Sequence, residues 1–287
     1  MARTRSVFST LKRRGPHRVL RGELAFAGIP GVVYTPAAGY HLPGVAFGHE
    51  WLADADNYRG TLEHLASWGI VAAAPDTHRG PAPSVLGLSH DLTAVLDVIS
   101  GVRLGTGQIS VAPDKLGLAG DGFGGSAAVL AAAGMVRPQT DRACRAVAAV
   151  FPSTTRPSAA RAAETLEVPG MVLATPDDAT SLRTEALDIG TAWTGAVVRT
   201  VDKADKAKAG GLIEKRRIAG LLGLPGSSTR IQRTVRALLT GFLLFHLTGA
   251  KEYRAFADPE ADLPHTSRPD PNAPAVTDED RIVALFG

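Results

Sequence analysis

Patterns typical of buried strands alternate with helical patterns along most of the chain, and this alternation constrains the fold most strongly. Six short apolar runs have the length of buried strands, at residues 44–48, 70–74, 115–120, 146–151, 169–174 and 196–201. A stripe at helical spacing follows the last run, at Ile231, Val235, Leu238, Phe242 and Phe245. Strands that alternate with helices form a mostly parallel sheet covered on both faces. The sequence therefore predicts an α/β fold in which residues 196–201 form the last strand.

The two ends of the chain differ from this central pattern. Residues 22–36 contain two runs that meet at a Gly-Pro turn, which predicts an antiparallel hairpin at the entry to the sheet. Composition divides the chain into a basic flexible arm over 1–18, one α/β domain over 19–256, and an acidic, Pro-rich tail over 257–287.

The basic arm dominates the charge distribution of a chain whose net charge is only +3. No acid precedes Glu23, and the preceding basic residues are Arg3, Arg5, Lys12, Arg13, Arg14, Arg18 and Arg21. The simpler interpretation, which we favour, is a solvated terminus. The alternative is an arm that binds an anionic membrane surface or an acidic partner. No segment resembles a nucleic-acid-binding motif, so we expect no nucleic-acid partner.

The remaining sequence signals predict a cytoplasmic protein. No apolar run approaches the roughly 20 residues needed to cross a bilayer, and the N-terminus lacks the apolar core of a secretory signal. Cys144 is the only cysteine, which excludes an internal disulfide and fits a reducing compartment. If the arm binds lipid, the expected location is peripheral, at the inner face of the membrane.

A Gly-rich turn joins the run at 115–120 to an Ala-rich helical pattern at 126–134. It reads Gly120-Asp-Gly-Phe-Gly124. This is the layout of the nucleophile elbow, G-x-S-x-G, in which a sharp turn lifts a serine out of the sheet. Both flanking glycines are present, but Gly122 stands where the serine would be. The motif predicts a hydrolase scaffold without its attacking atom.

Together with the elbow, three segments give the chain a resemblance to the α/β-hydrolase family, in its dienelactone-hydrolase and polyester-hydrolase (cutinase-like) branch. The segments are 47–50, 58–66 and 74–76, and the resemblance covers about residues 20–255. It implies the α/β-hydrolase fold, without metal or cofactor. It also implies an oxyanion hole with backbone donors at Glu50 or Trp51 and at Phe123. The family usually has His-Gly where this chain has His49-Glu50.

The resemblance also implies positions for the acid and the base of a catalytic triad. The acid follows the strand at 169–174, where Asp177 or Asp178 could match it, although either could instead cap a helix. The base is expected near 203–210, which contains no histidine. His246 lies within an apolar helical run and His265 lies in the tail, so neither is a good substitute. Two of the three triad positions therefore lack the required residue.

Other side chains fit the missing roles poorly. Asp121 precedes the tip of the turn, Ser126 lies inside the helix, and Cys144 lies outside the elbow. Carboxylates at Glu50, Asp121 and Asp178 could surround the vacant position and favour a cationic or polyhydroxylated ligand. We prefer the alternative that Glu50 and Asp121 face solvent or cap helices.

Three hypotheses about function follow. The first is a non-catalytic α/β-hydrolase homologue that acts as a binding, scaffold or regulatory protein. Its partner would be a protein, or a small ligand in the vestigial pocket around His49, Glu50, Trp51, Asp121, Gly122 and Phe123. The second is an ester or lactone hydrolase with relocated catalytic residues, against which the vacant triad positions argue. The third is a peripheral membrane protein recruited by the arm, which is compatible with the first.

Overall fold

A computed structural model describes residues 2–135, 144–179, 181–204, 212–214 and 228–269. Nine strands form one sheet in the order β1-β2-β4-β3-β5-β6-β7-β8-β9. The strands are β1 Val19–Glu23, β2 Gly31–Pro36, β3 Gly39–Gly48, β4 Val71–Pro75, β5 Ile109–Asp121, β6 Cys144–Val150, β7 Gly170–Ala174, β8 Val197–Val201 and β9 Thr266–Ser267. Pairing is parallel from β4 through β3 to β8 and antiparallel at β1–β2, β2–β4 and β8–β9. The α/β class, the mostly parallel sheet and the N-terminal hairpin are therefore confirmed.

Helices cover both faces of the sheet, which leaves the central strands buried on both sides. The helices are α1 Ala2–Leu11, α2 Arg59–Ser67, α3 Val85–Gly101, α4 Phe123–Met135, α5 Ala159–Ala163, α6 Ala186–Ala192 and α7 Thr229–Thr248. Alternation along β3 shows the two layers: Val45 and Phe47 belong to the core under α1, α2 and α7, whereas Ala46 belongs to the core under α3 to α6.

The N-terminal residues form a helix that packs on the domain, in contrast to the flexible arm that the sequence predicts over 1–18. Residues 2–11 form α1, in which Phe8 and Leu11 are buried against the domain. Phe8 stacks on Phe256, with ring centroids 6.2 Å apart. The chain after α1 is held as well, because Gly15 N donates to Ser67 Oγ at 2.9 Å. Phe8 and Leu11 lie on one face of the helix, and their burial keeps α1 packed on the domain despite the surrounding basic residues.

The beginning of the acidic tail also belongs to the domain. After the 3₁₀ turn Lys251–Phe256, the chain adds β9 to the edge of β8. Leu263 is buried, and Asp258 O accepts a hydrogen bond from the buried guanidinium of Arg199 at 2.8 Å. The prediction that 196–201 is the last strand is therefore wrong. Residues 270–287 of the predicted tail lie outside the described residues.

None of the described helices has both the length and the apolar character required to cross a membrane. The longest of them, α7, has 20 residues and carries Arg230, Arg233 and Arg236.

Candidate functional site

The Gly-rich turn has the sharp strand-to-helix geometry that its sequence predicts. β5 ends at Asp121 and α4 begins at Phe123, so Gly122 alone forms the turn, with φ of +55°. That left-handed conformation favours glycine. A Cβ on Gly124 would overlap the backbone of Gly48 on β3, and a Cβ on Gly120 would overlap the backbone of Gly124. The flanking glycines are therefore required for the close approach of α4 to the sheet.

The Glu50 carboxylate lies directly over this turn. Glu50 follows the C-terminal end of β3, which is adjacent and parallel to β5. Its Oε1 accepts hydrogen bonds from Phe123 N at 2.9 Å and from Trp51 N at 2.8 Å, and its Oε2 lies 3.5 Å from Ser153 Oγ. A Cβ added to Gly122 would overlap that Oε2. The carboxylate therefore occupies the space that a side chain at position 122 would need.

The two backbone donors bound by Glu50 are those expected for an oxyanion hole. One belongs to the residue after the turn, Phe123, and the other belongs to the loop after β3, at Trp51. Phe123 also begins α4, so the positive end of the helix dipole faces the carboxylate. The arrangement is an anion site that is filled by the chain's own side chain.

A buried hydrogen-bond network holds Glu50 in place from below. Tyr58 OH accepts from Glu50 N at 3.0 Å and donates to Asp121 Oδ2 at 3.0 Å, and Leu212 N donates to the same Oδ2 at 2.9 Å. Burial, followed by the neighbouring charges of Asp121 and Glu50, raises the pKa of Tyr58 well above its usual value. The hydroxyl therefore stays protonated and remains a donor to Asp121.

His49 fixes the loop that carries Glu50. Its ring is fully buried, with Nδ1 2.9 Å from Glu50 O and Nε2 2.7 Å from Thr77 O. The two following side chains, Trp51 and Leu52, are exposed, and Leu52 has φ of +57°. His49 therefore positions the loop backbone, whereas Trp51 faces away from the core.

Of the two carboxylates expected to face solvent or cap helices, Glu50 caps a helix and Asp121 does not. Glu50 lies at the N-terminus of α4, so it caps a helix and enters the predicted site at the same time. Asp121 is only 1% exposed and lies beneath the turn, so the prediction that it faces solvent or caps a helix is wrong. Its burial is compensated by the donors Tyr58 OH and Leu212 N.

The candidate triad acids lie in a short turn after β7. Asp178 is buried and accepts hydrogen bonds from Thr175 N at 3.0 Å and Thr175 Oγ1 at 2.6 Å, whereas Asp177 is exposed. These bonds stabilise the 3₁₀ turn Pro176–Ala179. The structure thus gives Asp178 a local turn-stabilising role.

The histidines considered as substitute bases are packed elsewhere. His246 contacts the rings of Phe242 and Phe245 at 4.6 and 4.9 Å, and burial lowers its pKa. His265 contacts Phe8 edge-on and lies 3.0 Å from Arg230 through Nδ1. Within the expected base position at 203–210, residues 205–210 lie outside the described residues.

Neither alternative nucleophile is presented for attack. Ser126 is fully buried and donates to Ser153 O at 2.6 Å. Burial raises the pKa of the Cys144 thiol to about 12, and its Sγ lies 3.4 Å from Ala146 O. A thiol with such a pKa is almost wholly protonated at neutral pH and is a poor nucleophile.

Two residues of the site, Tyr58 and Ser153, have no role in the sequence prediction. In the sequence, Tyr58 is only the first residue of the segment 58–66 that carries the resemblance, although a tyrosine hydroxyl beside apolar helical positions is a signal for a buried hydrogen bond. Ser153 follows the C-terminal end of β6, and this edge of a parallel sheet is where ligand sites form. Among the described residues, no group of histidine, cysteine and acidic side chains could hold a metal ion.

A second concave region lies between α1, α2 and α7, and we call it the basic cleft. It has a volume of about 590 Å³. Five cationic side chains line it: Lys12, Arg13, Arg14, Arg233 and Arg236. The other basic residues near the N-terminus lie outside its lining, and Arg21 pairs with Glu23.

Comparisons with known proteins give no match, either to a family model or to a curated protein.

Proposed function

We propose that the protein is a non-catalytic homologue of the α/β-hydrolases that acts as a binding, scaffold or regulatory protein. Three features support this relationship: the mostly parallel sheet, the glycine-dependent turn between β5 and α4, and the paired backbone donors of Phe123 and Trp51. The last two are the structural parts of a nucleophile elbow and its oxyanion hole.

The position of Glu50 is the observation that carries the proposal. An acyl-transfer hydrolase needs an anion site that is open to the substrate carbonyl and can stabilise its developing negative charge. Here one carboxylate oxygen already binds both donors. Loss of a single such donor costs on the order of 10²–10³ in turnover. An oxyanion would also have to form beside a resident negative charge.

The missing side chain at position 122 is a second obstacle to acyl transfer. Gly122 offers no atom for covalent attack, and Ser126 and Cys144 do not replace it because both are packed. The protein would therefore act through the surfaces of a stable fold, without breaking bonds. Among the retained surfaces is the loop that exposes Trp51 and Leu52 beside the filled anion site.

Ester hydrolysis and covalent labelling test the proposal together. Purified full-length protein should hydrolyse 4-nitrophenyl acetate no faster than buffer and should resist a fluorophosphonate probe. The Gly122→Ser variant should remain inactive, because His49, His246 and His265 are packed in other contacts and none is placed to deprotonate the new hydroxyl. A wild-type turnover of about 1 s⁻¹, ordinary for an enzyme, would contradict the proposal. Loss of that activity in Ser126→Ala or Cys144→Ala would then identify a relocated nucleophile.

A further inference from the structure

The basic cleft contains far more positive than negative charge. Its lining has five cations and one carboxylate, Glu63. Glu63 already pairs with Arg59, whose Nε lies 2.8 Å from its Oε1. Arg236 is neutralised by Glu214, with 2.6 Å between its guanidinium and Oε1. Within the described part of the chain, no ion pair joins the other four lining cations, Lys12, Arg13, Arg14 and Arg233, to a carboxylate.

These cations are held together by the fold. Phe8 and Leu11 anchor α1 in the core, so Lys12, Arg13 and Arg14 at its C-terminal end are fixed beside α2 and α7. The backbone of Arg13 is held further by Trp68, whose Nε1 donates to Arg13 O at 3.1 Å. Burial and repulsion from Arg230 and Arg233 lower the pKa of Lys12. The fold therefore keeps the backbones of these like-charged residues close together, at a cost in stability.

A buried polar atom at the same cleft also lacks a partner. His64 lines the cleft, is only 7% exposed, and its Nε2 has no hydrogen-bond partner among the described residues. Unsatisfied buried polar atoms are uncommon in folded proteins. The atom is closed off from solvent, so His64 belongs to the wall of the cleft and is not a direct ligand contact.

We propose that the basic cleft is a binding site for a ligand that carries phosphate groups, with Arg13, Arg14 and Arg233 as its principal contacts. Four cations that pair with no carboxylate of the described residues call for a multivalent anion, since one carboxylate would neutralise only one of them. A phosphate group carries about two negative charges and accepts paired hydrogen bonds from a guanidinium. A cleft of about 590 Å³ is the size of a small-ligand site.

Two sources provide this chemistry: a soluble phosphorylated molecule and the headgroup of an anionic phospholipid. The first arm of the test titrates full-length protein with inorganic pyrophosphate in a calorimeter at low salt. The second arm sediments the protein with phosphatidylcholine vesicles that contain phosphatidic acid, and with vesicles of phosphatidylcholine alone. A lipid ligand predicts binding to the acidic vesicles that pyrophosphate displaces, whereas a soluble ligand predicts pyrophosphate binding without vesicle binding.

Matched variants separate a defined site from general attraction to positive charge. Replacing Arg13 and Arg14 together by Gln removes two charges from the cleft. Replacing Arg3 and Arg5 together by Gln removes two charges from α1 outside the cleft lining. The first pair should weaken pyrophosphate affinity by about tenfold or more, equivalent to about 1.4 kcal/mol. The second pair should change it by less than about twofold. Arg233→Gln, on a different helix, should also weaken binding.

The melting temperatures of the unliganded variants establish that each is folded before binding is compared. Equal loss of affinity in the two double variants would overturn the proposal, because the attraction would then be diffuse. Absence of binding in both arms by the folded wild-type protein would overturn it as well.

Discussion

The elbow and the basic cleft both concentrate positive potential, but they differ in what neutralises it. At the elbow, the potential comes from backbone N–H groups, and the Glu50 carboxylate satisfies them from the adjacent strand. In the cleft it comes from side chains, and four of the lining cations lack a carboxylate partner among the described residues. The elbow, whose sequence resembles a catalytic site, is filled by Glu50. The N-terminal segment, whose sequence resembles a solvated terminus, lines an open cleft.

The difference follows from how each region is built. The elbow lies where the C-terminal ends of parallel strands meet, and a short loop from β3 can place a side chain directly over β5. The cleft lies between helices on one face of the sheet, where long basic side chains surround a space of about 590 Å³. A single carboxylate satisfies the two backbone donors at the elbow. Several negative charges are needed to neutralise the group of arginines in the cleft.

The largest expected effect tests the anchoring of α1, on which the cleft depends. Phe8→Ala should lower the free energy of unfolding by about 3–5 kcal/mol, because it removes a buried ring that stacks on Phe256. It should also weaken pyrophosphate binding. Ser6→Ala, at an exposed position of the same helix, should change stability by less than about 0.5 kcal/mol. Chemical denaturation measures the free energy of unfolding of both variants. A small loss of stability in Phe8→Ala would restore the flexible-arm prediction.

The pH dependence of stability reports on His64 at the cleft wall. Burial and repulsion from Arg236 lower its pKa from 6.5 to about 4. Between these values the unfolded chain binds more protons than the folded chain, so stability should fall as the pH is lowered from 7 towards 4. The loss due to this residue is at most about 3 kcal/mol, at about 1.4 kcal/mol per pKa unit.

The variant His64→Gln isolates this effect from the titration of carboxylates. Its free energy of unfolding should depend less steeply on pH than that of the wild type over the same range. Pyrophosphate should reduce the steepness in the wild-type protein, because a bound anion favours the protonated ring. Parallel pH profiles for wild type and variant would show that His64 titrates normally in the folded state.

A smaller effect is expected at the elbow from Tyr58→Phe. The change removes the acceptor of Glu50 N and a donor to the buried Asp121 carboxylate. We expect a loss of about 1–3 kcal/mol in the free energy of unfolding. Tyr40→Phe, at a residue whose side chain is exposed, is the matched control and should be nearly neutral. Similar values for the two variants would show that the network contributes little to stability.

The sequence predicted the fold better than it predicted the site. Runs of valine and alanine at 70–74 and 146–151 identify buried strands because parallel strands are apolar on both faces. The glycines at 120 and 124 identify the turn because only glycine allows that approach. The sequence suggested Glu50 as a residue near the turn, but not that its carboxylate binds the two backbone donors, since this depends on the register of β3 beside β5.

The structure of the two ends of the chain was harder still to predict from the sequence. Basic residues concealed the spacing of Phe8 and Leu11, which buries α1. The strand β9 has only two residues and leaves no periodic signal. The cleft requires residues that are over 200 positions apart, such as Arg13 and Arg233, and no local pattern brings these together.

A double-mutant cycle between Glu50 and Gly122 tests most directly whether the carboxylate occupies the space above the turn. Gly122→Ser should destabilise the wild-type protein by about 2–4 kcal/mol, because its side chain overlaps Glu50 and its φ disfavours a Cβ. In the Glu50→Ala background only the backbone strain remains, and the loss should fall to about 1–2 kcal/mol. A coupling free energy of about 1–2 kcal/mol is therefore expected from chemical denaturation of the four proteins. Additivity within about 0.5 kcal/mol would contradict the conclusion that Glu50 fills this site.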